Sequence, residues 1–146
     1  QLIGVIFMLT KNVTEYLYPL LLGRSSLPEP ETWDEWLADH NAENSISQKI
    51  SKLKQLEALG AEVLPLTADV CDRTQMEQAI ALALERFGTI NSVIHAAGVA
   101  GGGIIQLKTP EIAEKVFAPK VVGTLVLNEV LQAIDLDFLV LCSSLS

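Results

Sequence analysis

Apolar residues fall along this chain in short continuous runs, separated by longer stretches where they recur every three or four positions. Runs at 18–22, 61–66, 90–96 and 136–142 predict buried strands. Ile46, Ile50, Leu53, Leu56 and Leu59 predict a helix closed by Gly60. Met76, Ala79, Ile80, Ala83 and Phe87 predict a second, opened by the capping pair Asp72 and Gln75 and stopped at Gly88. Thr109 and Pro110 open a third, running over 111–134 with Pro119 bending or restarting it. Residues 5–17 carry two signals. Their Val, Ile and Phe suit a strand, whereas Gly4 before them suits the tight entry into a first helix, and helix is the reading adopted. Strands alternating with helical stretches imply right-handed crossovers and a doubly wound α/β fold with a parallel sheet.

Between the first strand and the first well-marked helix, residues 27–44 turn to Pro, Glu, Asp and Trp, which reads as a surface insertion inside one domain covering 1–146. The chain opens without Met and directly on an apolar run, as a segment of a longer chain would. A hydrophobic share of 49% with 19% charged residues is that of a globular protein. The net charge of −8 speaks against nucleic acid or an anionic membrane as partner, because phosphate surfaces call for clustered Lys and Arg. The apolar run 2–9 is too short to span a bilayer and lacks a basic flank. Cys71 and Cys142 offer no metal-ligand spacing, so no metal centre is expected and a reducing, cytoplasmic setting fits.

The stretch 91–123 runs from a strand through glycines into a helix bearing Lys120, and in an open α/β sheet ligands bind beyond the carboxyl ends of the strands. Gly4 stands 20 residues before Arg24, close to the spacing between a dinucleotide-binding turn and the residue that reads the adenosine ribose. The forked guanidinium of Arg24 suits a phosphate. Asp69 follows a strand, where it can accept from an adenine amino group or serve as a turn residue. The small Ala96, Ala97 and Gly98 admit a flat ligand or pack strand on helix. His95 has no acidic partner nearby in sequence and reads as a packed, hydrogen-bonded histidine. Ser143 and Ser144 can contact a ligand or satisfy strand-end backbone groups.

The strings LLGRSS, LEALGAEVLPLTADVCD, INSVIHAAGV, TPEIAEKVFAPKVVGT and LDFLVLCSSLS resemble the ketoreductase domain of modular polyketide synthases, a Rossmann-like branch of the short-chain dehydrogenase/reductase superfamily. The resemblance implies that Gly4 is the last glycine of the nucleotide-binding turn and that Arg24 with Ser25 recognises the 2′-phosphate of NADPH. It makes Asp69 and Val70 the adenine contact, and Ala96, Ala97 and Gly98 the wall beside ribose and nicotinamide. Lys120 becomes the active-site lysine, and Ser144 the serine that bonds the substrate carbonyl. The first strand and the earlier glycines are absent, so the sheet is expected to be incomplete. The catalytic tyrosine is expected after Ser144, outside the 146 residues, which on their own are expected to be inactive. In place of the Leu-Asp-Asp signature that often follows HAAGV stand Ala100, Gly101 and Gly102. The function implied is NADPH-dependent reduction of a β-ketoacyl group on acyl carrier protein, among neighbouring polyketide synthase domains. The alternatives are a free-standing short-chain reductase and a non-catalytic scaffold or cofactor-sensing remnant.

Overall fold

The structure, a computed structural model, describes residues 4–10, 17–101 and 104–143. Val5, Ile6 and Phe7 decide its architecture. They form a strand, β1 (Val5–Thr10), where a helix was expected over 5–17; residues 11–16 of that expectation lie outside the described residues. Two neighbours select the strand. β1 pairs antiparallel with β2 (Leu17–Gly23) on one side and with β4 (Ser92–His95) on the other, so Val5 stands opposite both Leu22 and His95, and Phe7 opposite both Leu20 and Val93. Alternation along β1 then serves two layers. Val5 and Phe7 join the core on one face of the sheet, while Ile6 packs into the core on the other. A lone glycine before an apolar run cannot compete with two ladders and two buried faces.

β2 pairs parallel with β3 (Leu64–Thr67) and β4 parallel with β5 (Phe138–Leu141), giving the order β3-β2-β1-β4-β5. The α/β, Rossmann-like architecture is as expected, but the sheet is mixed. Four strands run parallel and β1 runs backwards through the middle. The central slot expected to stand empty is therefore filled. An apolar strand there pairs with the facing edges of β2 and β4, and edge groups left unpaired would be costly.

Two helices cover each face. α1 (Trp33–Asp39) and α2 (Ser45–Ala58) bring Trp33, Ile50 and Leu53 against Leu21; α3 (Arg73–Phe87) and α4 (Pro110–Val130) bring Met76, Ala79, Ile80 and Leu127 against Val5, Phe7 and Val93. The insertion is thus more than surface, since its Trp33 is buried and donates its indole N–H to the Pro28 carbonyl at 2.9 Å. Helix ends follow the local signals. The Asn44 side chain accepts from the Ile46 N–H and that of Asp72 from the Gln75 N–H, and Gly60 and Gly88 take the positive φ angles of +92° and +84° just past α2 and α3. α4 continues through Pro119 without a restart. At the far edge, all four residues of β5 are exposed, and so are Phe117, Val121 and Leu125 of α4, one stripe at i, i+4 and i+8.

Candidate nucleotide cleft

The parallel strands β2, β3 and β4 end at Gly23, Thr67 and His95, and because β1 is reversed its first residues arrive at the same edge. There a cleft of about 450 Å³ opens between the loops that follow β2, β3 and β4 and one side of α4. It draws together Gly4, Arg24, Ser25, Asp69, Val70, Ala97 and Gly98, residues spread over 95 positions of sequence. Ala96 does not line it; its N–H donates to the Gly4 carbonyl at 3.0 Å.

Gly4 differs from its expected role. Its N–H donates to the Leu22 carbonyl at 2.7 Å, and the chain beyond it enters a strand and not a helix. It therefore offers a phosphate neither a free N–H nor a helix N-terminus. What remains is close approach: a Cβ added at Gly4 would lie 3.1 Å from the Leu22 carbonyl oxygen and 3.6 Å from the Ala97 Cβ.

Asp69 is a turn residue that also lines the cleft. Its Oδ1 accepts from the Cys71 N–H at 2.9 Å, an Asx turn, while the Asp69 N–H donates to the Gln75 side chain, itself bonded to the Asp72 cap. This holds Asp69 and Val70 at the cleft rim. Val70 also lies against Gly123 of α4, where a Cβ would meet its Cγ1 at 2.8 Å, so the glycine is what lets α4 close on this loop. The neighbouring Cys71 thiol is pushed above its usual range, first by burial and then by the Asp69 carboxylate, against which the Arg24 charge acts.

Lys120 stands apart from this cleft. Its ammonium donates to the Cys142 carbonyl, just past the end of β5, and Thr124 Oγ1 donates to the Lys120 carbonyl at 2.6 Å. Ser144 lies outside the described residues, so its approach to Lys120 rests on sequence. His95 is 2% exposed and donates from Nε2 to the Pro119 carbonyl at 2.9 Å, tying β4 to the α4 turn before Lys120. It is the packed, hydrogen-bonded histidine that was expected.

Burial lowers the affinity of His95 for a proton and the Lys120 charge adds to this, while the Pro119 and Gly4 carbonyls oppose it. The folded state thus holds it neutral at a pH where the unfolded chain, with a histidine value of about 6.5, begins to protonate it. Its contribution to stability is complete above that value and is lost as pH falls through the lower folded one. The thermal midpoint is expected to fall as pH is lowered from neutrality into the acid range, and His95→Gln to flatten that fall. Parallel pH profiles for the two proteins would remove His95 as a source of acid sensitivity.

Two further cations of the cleft went unnoticed in sequence. Besides Arg24 it is lined by Lys49 of α2 and Lys115 of α4, with Asp69 the one acid of the lining. The ion pairs among the described residues join Lys54 to Asp34, Arg73 to Glu77 and Glu129, and Arg86 to Glu62. None takes Arg24, Lys49 or Lys115. A chain of net charge −8 has thus gathered around one opening cations that take part in no ion pair among the described residues, an arrangement that suits an anionic ligand. No group of metal-ligating residues occurs among the described residues, and none of their helices is long and apolar enough to cross a membrane.

Known proteins resemble this chain in sequence and in fold. The 6-methylsalicylic acid synthase of Penicillium patulum is 35% identical over 127 residues, 86% of this chain and 7% of that protein. Polyketide synthase PksM of Bacillus subtilis (strain 168) is 39% identical over 99 residues, 68% of this chain and 2% of the synthase. The crystal structure of a ketoreductase domain from the bacillaene assembly line superposes with a TM-score of 0.69 at 33% identity, covering 86% of this chain and 26% of that one. The chain thus spans only a small part of the relatives it matches. The KR domain family matches residues 18–146, from the second residue of β2 onward, and the chain belongs to this family, the ketoreductases of polyketide synthases with the short-chain dehydrogenase/reductase fold.

Proposed function

We propose that the cleft holds NADPH and that the domain serves the reduction of a β-ketoacyl group carried on acyl carrier protein, beside other domains of a polyketide synthase. Nicotinamide dinucleotides are the cofactors of this family. The observation that carries the choice of the phosphorylated form is the set of cations lining the cleft, in no ion pair among the described residues, with Arg24 and Ser25 exposed just past the tip of β2. These donors fit a 2′-phosphate, and Asp69 with Val70 fits an adenine edge. The bridge between the two nucleotides fits less well, since Gly4 has no N–H to give it.

When bound, the dinucleotide supplies the hydride. The protein's part is positional. Arg24 and Ser25 would anchor the phosphate, Ala97 and Gly98 would let the ligand lie close to the backbone, and Lys120, whose ammonium reaches the Cys142 carbonyl past the end of β5, would assist proton delivery by the tyrosine expected after Ser144. Ser144, three residues beyond β5 in sequence, would donate to the substrate carbonyl. Tyr16 and Tyr18 are the two tyrosines of the chain. Tyr18 stands near the start of β2, about 16 Å along the strand from Gly23, and Tyr16 lies outside the described residues. The resemblance expects the general acid to be a tyrosine that follows Ser144.

Calorimetric titration tests the cofactor assignment. The chain is expected to bind NADPH more tightly than NADH, and Arg24→Ala to weaken NADPH about tenfold or more through loss of a charge-assisted pair, leaving NADH little changed. Equal affinities for the two cofactors in the parent protein would end the assignment.

A further inference from the structure

We propose that Lys49 is a second phosphate-reading cation of the cleft, acting with Arg24 on the 2′-phosphate; this rests on the dinucleotide reading above and extends it to a residue on another element. Lys49 lines the same cleft as Arg24 and Ser25. Its neighbour Ile50 is fully buried in the core that contains Leu21 of β2, which fixes this turn of α2 against the sheet while Lys49 borders the cleft. The other lysines of α2 are used differently. Lys54 pairs with Asp34, and Lys52 is exposed and does not line the cleft.

Lys49 is half-buried and takes no part in any ion pair found among the described residues. Asp69, the acid of the cleft, already accepts a hydrogen bond from the Cys71 N–H. A partly desolvated ammonium without a carboxylate is best stabilised by an anion brought from outside. α2 also joins β2 to its parallel neighbour β3, so its N-terminal, positive end lies toward this same edge. Because the Gly4 N–H is committed to Leu22 and a strand follows it, charge at the Arg24 end carries more of the phosphate recognition than it would if Gly4 opened a helix.

The test uses 2′,5′-ADP and 5′-AMP as probes, which differ only in the 2′-phosphate, with inorganic phosphate as a third arm. Each is titrated into the chain and into Lys49→Gln and Lys49→Arg, with circular dichroism to confirm folding. The parent is expected to bind 2′,5′-ADP about tenfold or more tightly than 5′-AMP. Lys49→Gln should cut the 2′,5′-ADP affinity roughly three- to tenfold, leave 5′-AMP within about twofold, and flatten the salt dependence, whereas Lys49→Arg should keep most of the preference. An unchanged preference in Lys49→Gln, or an equal loss for both nucleotides, overturns the role of Lys49 and leaves the cofactor reading standing. Equal affinities for the two nucleotides in the parent overturn both. Inorganic phosphate binding as tightly as 2′,5′-ADP would show a general anion site and overturn the assignment to the nucleotide.

Discussion

Replacing Phe7 with alanine is expected to lower the unfolding free energy by about 3–5 kcal/mol, much of what a domain of this size commonly possesses. Phe7 is fully buried on the central strand, opposite Leu20 and Val93, in the core formed with α3 and α4. The large value arises because a cavity at the middle of a sheet cannot collapse without disturbing the ladders on both sides. Phe117→Ala is the control. That ring is 59% exposed on α4, and its loss should change stability by about 0.5 kcal/mol or less. Urea denaturation of both variants decides the matter. A Phe7→Ala cost no larger than that of Phe117→Ala would remove β1 from the centre of the sheet.

Residues 1–146 alone, supplied with NADPH and a β-ketoacyl thioester, are expected to oxidise the cofactor no faster than buffer. A positioned general acid is worth roughly two to four orders of magnitude, and the described residues provide none. His95 is buried and its Nε2–H is bound to Pro119, while Lys120 donates to the Cys142 carbonyl. Adding a following segment that carries a tyrosine should restore turnover, and in that longer polypeptide Lys120→Ala should depress it without a matching fall in thermal midpoint. Equal rates from the short and long polypeptides would overturn the roles given to Lys120 and Ser144.

Much of the cleft could be read from local signals. Arg24, Asp69, Val70, Ala97 and Gly98 each stand just beyond a run that announces a strand, and the runs at 18–22, 61–66 and 90–96 correspond to β2, β3 and β4. Lys49 and Lys115 escaped because a lysine among helical polar residues looks the same whether its helix faces a cleft or water. Only packing distinguishes them. The sequence also placed Lys120 with the other site residues, whereas its ammonium goes to the end of β5 and not to the cleft.

By itself, then, the sequence determined what depends on near neighbours in the chain: three of its helices, two with their caps at Asp72 and Thr109, the turns at Gly60 and Gly88, and the strand ends from which the cleft is built. Periodicity and capping act within a turn or two, so they are written locally. Tertiary structure alone decided the fate of residues 5–10. Their apolar pattern allowed helix or strand, and the choice fell to strand because the slot between β2 and β4 supplies two hydrogen-bonding edges and a core on each face. The direction of that strand, and with it the position and bonding of Gly4, follows from pairings between residues up to 90 positions apart, such as Val5 with His95, which no local pattern records.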